Sequence, residues 1–228
     1  MVHGRVLGID GCRAGWVGIV LGPDPGRPPV GCFGATMAEL AAASGPVDVV
    51  GVDMPLHLAP EGTRPCDVAA RAHLGAKRSS LFPTPPAPAY AAASYAEACA
   101  VSRELAGWAP SLQAWALAPK VADLRAWWAA GAACPVLEVH PEVSFSLMAG
   151  GPILARKTTW AGHRARWAAL AAEGIVVPDD LGPAGLAGAD DVLDAAAAAW
   201  TARRVAAGTA RSFPTDLDPA HPLQAIWA

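Results

Sequence analysis

Charge is scarce in this 228-residue sequence: Asp, Glu, Lys and Arg make up only 16%, and the formal net charge is −3 with a pI near 6.0. A protein held to nucleic acid by charge alone needs a basic excess, so that mode of binding is disfavoured, with a local arginine patch left open. Closely spaced cysteines are missing too. Cys12, Cys32, Cys66, Cys99 and Cys134 are odd in number, widely scattered and form no CxxC pair. No apolar run reaches 18 residues, and no N-terminal apolar signal region is visible. Alanine-rich 189–207 comes nearest to such a run, but it carries Asp190, Asp191, Asp194, Arg203 and Arg204. These absences together lead to the expectation of a reduced, cytoplasmic protein with no membrane partner.

What is present is apolar bulk. Hydrophobic residues make up 53% of the chain, which excludes a disordered polymer, and the length suits one domain spanning 1–228. Alanine inflates that share while adding little volume, so nine tryptophans must supply much of the large core surface rather than a base-stacking platform.

RVLGID, WVGIVL and PVGCFGA are short apolar runs rich in branched residues, joined by connections that suit an antiparallel meander. TMAELAAAS has helical spacing, with Thr36 and Glu39 in a capping-box pattern, and Gly45-Pro46 ends it. VDVVGVDMP then returns as a fourth strand, which implies a parallel crossover. Residues 57–130 are expected to form an insert: helices at CDVAARAHLG, SYAEACAVSRELAG and PKVADLRAWWAAG, with a Pro-rich loop over KRSSLFPTPPAPAY. PVLEVHPEVSF is expected as the fifth strand, and HRARWAALAAEGI and DDVLDAAAAAWTARRVAAG as helices. This element order is that of an α/β ribonuclease H-like fold, a five-stranded mixed sheet of order 3-2-1-4-5 with flanking helices.

The acids carry the chemistry. Residues two apart on a strand share a face, so Asp10 lies with Gly8 in GID and Asp53 with Gly51 in GVD. A glycine beneath each acid would let another element approach closely. The fifth strand brings Glu138, and the last helix offers Asp191 and Asp194, three apart on one face and continued by Ala195 and Ala198. Such like charges cannot stay ionised together unless cations join them, and all-oxygen ligation suits Mg²⁺ or Mn²⁺, expected as a pair of ions. Each acid also has a plain structural explanation: Asp10 or Asp53 as turn residues, Asp190 as the N-cap of the last helix, Asp191 and Asp194 as favourable charges in its first turn.

The segments GIDGCRAGWVGIVL, VDMPLHL, CDVAARAHLGAKRSSLFPTPP, LEVHPEVSF, KTTWAGHRAR and DDVLDAAAAAW, in that order, resemble the DUF429 family, which is grouped with predicted ribonuclease H-like nucleases. The resemblance runs through most of residues 5–205. It implies the fold above and an acidic metal site of Asp10, Asp53, Asp191 and Asp194, with Glu138 matching the family's own fifth-strand motif.

Other residues are open to two readings. Lys77, Arg78, Ser79 and Ser80, with Arg71 nearby, could grip a phosphate or simply line a solvated loop. Lys157, Arg164 and Arg166 suit either a second basic edge or a solvated helix face, Lys157 being the substrate-binding candidate. His140 shares the strand face of Glu138 and could assist a water or act structurally, whereas Cys12 suits small-residue packing. Asp10, Asp53, Glu138, Asp191 and Asp194 are therefore the catalytic candidates of a metal-dependent phosphodiester hydrolase acting on nucleic acid or a nucleotide. The competing readings are an actin-like nucleotide-binding phosphotransferase, for which a second Asp-Gly phosphate loop is missing, and a binding module of the same fold without catalysis. The oligomeric state is left open, a homodimer included.

Overall fold

The computed structural model describes residues 4–216 and 224–228. Strands β1 (Val6–Cys12), β2 (Gly15–Leu21) and β3 (Val30–Gly34) form the antiparallel meander, followed by helix α1 (Met37–Ser44) and strand β4 (Val49–Val52). Strand β5 is Val136–Glu138, and the sheet order is β3-β2-β1-β4-β5. β1 pairs antiparallel with β2 and parallel with β4, and β4 pairs parallel with β5. The architecture is the expected five-stranded mixed sheet, consistent with a ribonuclease H-like fold.

The capping box at α1 forms as the sequence predicts: Thr36 Oγ1 accepts from the Glu39 N–H at 3.2 Å, and Glu39 Oε2 accepts from the Ala35 N–H at 2.8 Å. Between β4 and β5 lie α2 (Pro65–Leu74), α3 (Ala87–Tyr90), α4 (Tyr95–Ala106), α5 (Leu112–Ala116) and α6 (Ala118–Ala129). α6 is tied to the sheet by Asp123, whose Oδ2 accepts from Trp16 Nε1 at 2.7 Å and from the Met37 N–H at 3.0 Å. One carboxylate thus satisfies both a buried indole and the first turn of α1, where the helix dipole favours a negative charge.

Three local expectations change. The fifth strand stops at Glu138, and the rest of PVLEVHPEVSF is helix α7 (Pro141–Met148), because Pro141 sits at a helix start where its missing N–H costs nothing. The Pro-rich loop opens with a 3₁₀ turn over Gly75–Ser80 and contains α3. Helix α8 covers Trp160–Ala172, with Thr159 as its cap, and α9 covers Ala189–Ala206. Gly188 rather than Asp190 is the N-cap of α9, which places Asp190 and Asp191 in the first turn. Two short strands beyond α9, β6 (Ser212–Phe213) and β7 (Ile226–Trp227), pair with each other, and Trp227 also bridges Val139 beside β5.

The sheet is covered on both faces. Leu7, Ile9, Val50 and Val52 join Met37, Leu40, Val121 and Leu124 in a core under α1 and α6. The opposite face meets α9, whose residues 195–199 are all alanine and fully buried. Its approach is close enough to require glycine in the strands. A Cβ on Gly8 would lie 2.0 Å from the Ala199 nitrogen and 2.1 Å from the Ala195 carbonyl oxygen, and one on Gly51 would lie 2.6 Å from the Ala198 oxygen. Backbone, not flexible side chain, is what a methyl group would strike.

Gly8→Ala is therefore expected to destabilise the chain by about 1–3 kcal/mol as α9 is pushed outward. Gly22→Ala, at a site with no atom within 4 Å of the added Cβ, is the near-neutral control. Denaturant unfolding of both variants checks this, and equal midpoints would contradict the close-packing account.

Candidate metal centre

The parallel register sets Gly8 against Gly51 and Ile9 against Val52, and the Asp53 N–H donates to the Ile9 carbonyl at 2.9 Å. Asp10 and Asp53 therefore emerge side by side at the C-terminal ends of β1 and β4. α9, lying on the glycine face, brings Asp194 to the same point. Ligand oxygens of Asp10, Asp53 and Asp194 all lie within 4.8 Å of one another.

Three acids so placed disturb one another. Burial, and then the carboxylates of Asp53 and Asp194, hold Asp10 well above the usual carboxylate range; burial and Asp194 do the same to Asp53. Burial lifts Asp194 to about 6, against the pull of Lys157. The Lys157 ammonium donates to Asp194 Oδ2 at 2.6 Å and stands 3.6 Å from Asp190. Burial works against that ammonium, yet Asp194, Asp10 and Asp53 raise its pKa. Asp10 Oδ1 accepts the Gly11 N–H at 2.7 Å, whereas Asp194 Oδ1 is buried without a partner among the described residues. Three clustered carboxylates, one of which keeps a buried unpartnered oxygen, are a donor set short of a cation, and their all-oxygen chemistry suits a hard divalent ion. The cluster thus fits a metal ion.

The other candidates are distributed differently. Asp191 stands outside the triad, in the first turn of α9, half-buried and raised by burial and by Asp190. Glu138 is buried and occupied: Arg64 donates to its Oε1 at 2.7 Å and Oε2 at 2.8 Å, and the Leu56 N–H donates to Oε2 at 3.0 Å. The same guanidinium donates to Asp67 at 2.5 and 3.2 Å, and Asp67 accepts the Thr84 N–H at 2.8 Å. This network fastens α2 and the Pro-rich segment to β5, beside the acids. Arg64 and Asp67 were not singled out together by the sequence, and their only signal was an i, i+3 pair at the start of α2.

Two cavities flank the triad. One of about 230 Å³ is lined by Asp10, Asp53, Arg64, Phe82, Tyr90 and His140 among others. A second of about 340 Å³ is lined by Asp53, Asp194, Lys77, Arg156 and Lys157, and it shares Ser80, Phe82 and His140 with the first. His140 caps the start of α7 between them; burial lowers its pKa to about 4, and its Nδ1 has no partner among the described residues. Lys77 and Ser80 thus reach the site. Arg71 instead donates to the carbonyls of Arg78 and Leu81, bracing the turn, while Arg78 and Ser79 are exposed and line neither cavity. Arg166 is neither a basic edge nor a solvated residue, because it is 1% exposed and pairs with Glu142 at 2.5 Å. Cys12 is buried, and all five cysteines are free.

The folded acids have higher pKa values than unfolded ones, so above about pH 4 the folded chain retains protons that the unfolded chain has released. Through these acids the stability of the metal-free protein falls as pH rises above about 4, with Asp194 ionising at about 6, whereas His140, held down to about 4, works the other way below about 6.5. Asp53→Asn should flatten that profile and raise the metal-free melting temperature at mildly alkaline pH, by about 2–4 °C for each kcal/mol of repulsion removed. Thermal melts of wild type and Asp53→Asn across pH check this, and a difference between the two that does not grow as pH rises would contradict it.

No described helix is long and apolar enough to cross a membrane. No curated protein and no solved structure shows a significant match to the chain. One family model does match, over residues 8–218, and with nearly the whole sequence covered the chain belongs to DUF429, described as a protein of unknown function.

Proposed function

We propose that this chain is a divalent-metal-dependent phosphodiester hydrolase of nuclease type, built as one ribonuclease H-like unit with an insert over about 57–130. The observation that carries the reading is the meeting of Asp10, Asp53 and Asp194, from two strands and a helix, with ligand oxygens within 4.8 Å and Asp194 Oδ1 unpartnered. Mg²⁺ or Mn²⁺ bound there would supply Lewis acidity, lowering the pKa of an attacking water and offsetting charge on a leaving oxygen.

The rest is the work of the chain's own residues. Asp10 and Asp53 would hold the cation from the sheet, and Asp194 would hold it from α9. Asp191, one turn earlier on α9, would add negative charge near it. Lys157 fixes the orientation of Asp194 through Oδ2 and leaves Oδ1 to ligate. Lys77 and Arg156, lining the cavity that holds Asp53 and Asp194, bind the phosphate. Ser80 adds a hydroxyl at the junction of the two cavities, and neutral His140 offers an acceptor for a proton there. Glu138 acts through Arg64 and the Leu56 N–H, holding the wall of the site rather than touching the cation. Arg71, through the Arg78 and Leu81 carbonyls, keeps the turn that presents Lys77 and Ser80.

A second reading, a module of this fold without turnover, has one observation in its favour: Lys157 already places a positive charge on Asp194. The two readings part on one experiment. Incubation with single-stranded, duplex, branched and RNA substrates should give Mn²⁺-dependent cleavage that EDTA abolishes. Asp10→Asn and Asp53→Asn should each lower the rate at least about a hundredfold, the loss of several kcal/mol of metal-borne stabilisation. Mn²⁺ binding without cleavage of any substrate would favour the silent module, and ATP consumption without strand cleavage would favour an actin-like phosphotransferase.

A further inference from the structure

Of the nine tryptophans, Trp16 is fully buried, Trp200 is 3% exposed and six others are half-buried. Trp160 departs from that pattern, being 77% exposed at the first position of α8. A single exposed apolar side chain needs no explanation by itself. Its place does. Trp160 lines a surface cavity of about 490 Å³ together with Lys157, Thr158, Thr159, His163 and Asp190. Lys157 and Thr158 also line the cavity that holds Asp53 and Asp194, so the two hollows adjoin at these residues. Trp160 lies three positions beyond Lys157, at most roughly 11 Å of chain. Phe82, 45% exposed, lines both cavities that hold the acids.

The segment that carries Lys157 and Trp160 is built to hold its shape. Thr159 caps α8 by accepting the Gly162 N–H at 3.2 Å, while its hydroxyl donates to the Arg156 carbonyl at 2.8 Å. Gly162 is required by the same close fit, since a Cβ there would lie 1.9 Å from the Arg156 oxygen. Buried Arg166 ties the segment down, donating to the Ala155 carbonyl at 3.1 Å while its other nitrogen holds Glu142. The guanidinium of Arg164 lies 5.7 Å from the centre of the Trp160 ring and adds positive charge beside it. Among the described residues, Arg156 and Lys77 form no ion pair with a carboxylate, so their charges remain for an anionic partner, whereas Arg164 is shared between the Trp160 and Trp167 rings.

Exposed aromatics in hollows that adjoin a candidate phosphate-cleaving centre, with cations free of carboxylate partners on the same cavity wall, match the requirements of an unpaired strand. The backbone follows the cations, and the exposed π-faces take successive bases. A duplex keeps its bases stacked inside and has no use for such faces. We infer that the substrate is single-stranded nucleic acid, or a single-stranded stretch of a larger one, with one base stacked on Trp160 and another on Phe82 while the phosphate between them meets Asp10, Asp53 and Asp194. This rests on the phosphodiester-hydrolase reading and names its substrate class.

The test is fluorescence anisotropy of a labelled single-stranded DNA oligonucleotide against the same sequence in a duplex, with Ca²⁺ present and again in EDTA. The single strand should bind more tightly, and Trp160→Ala should weaken it about tenfold or more. Trp160→Phe should keep most of the affinity, and Phe82→Ala should lose part of it. Arg156→Ala should lower the salt dependence by about one unit of slope. Unchanged melting temperatures for Trp160→Ala exclude misfolding, as expected for a side chain already in water. Equal binding by Trp160→Ala and wild type, duplex bound as tightly as single strand, or no binding of either would overturn the inference. Trp160-dependent binding without Mn²⁺-dependent cleavage would instead sink the hydrolase reading alone.

Discussion

The structure turns on how closely α9 lies against β1 and β4. Only glycine at positions 8 and 51 and a run of alanines on the helix permit that distance, because any added methyl would meet main-chain atoms. The consequence is electrostatic. A helix so near the sheet carries Asp194 into contact range of Asp10 and Asp53, at the strand ends where parallel pairing has already put two acids side by side. Small residues are thus not filler here; they set the separation at which three carboxylates meet.

A metal-free cluster of this kind is costly to the fold. Desolvation dominates, the neighbouring acids add to it, and Lys157 offsets a part. A chain selected for stability alone would be better served by apolar side chains at these positions. That strain is stored at one point, beneath two cavities with unpaired cations on the rim, which is the pattern expected where a fold is organised around a reaction. The surrounding ion pairs do a different job. Arg64 with Glu138 and Asp67, and Arg166 with Glu142, are internally neutralised and anchor the segments that carry Thr84 and Lys157 into place.

Some of this was legible in the sequence, and the reason is period. Strand alternation puts Gly8 with Asp10 and Gly51 with Asp53, and helical spacing aligns Asp191 and Asp194 with Ala195 and Ala198, so faces could be assigned without coordinates. The sheet order followed from element order and connection length. What failed depended on contacts across long separations or on local chemistry with two outcomes. Glu138 looked like a free acid because its partner, Arg64, lies 74 residues away. PVLEVHPEVSF continued as apolar sequence while Pro141 was starting a helix. Trp160 was indistinguishable from core tryptophans until the packing of α8 showed which side of the helix faces water.

The central claim is that one cation site is formed jointly by β1, β4 and α9. Anomalous diffraction from a crystal soaked in Mn²⁺ examines it most directly. The account requires a strong peak bonded to oxygens of Asp10, Asp53 and Asp194, Oδ1 of Asp194 among them. No peak there, or manganese only at other surface acids with the triad oxygens unchanged, would contradict it.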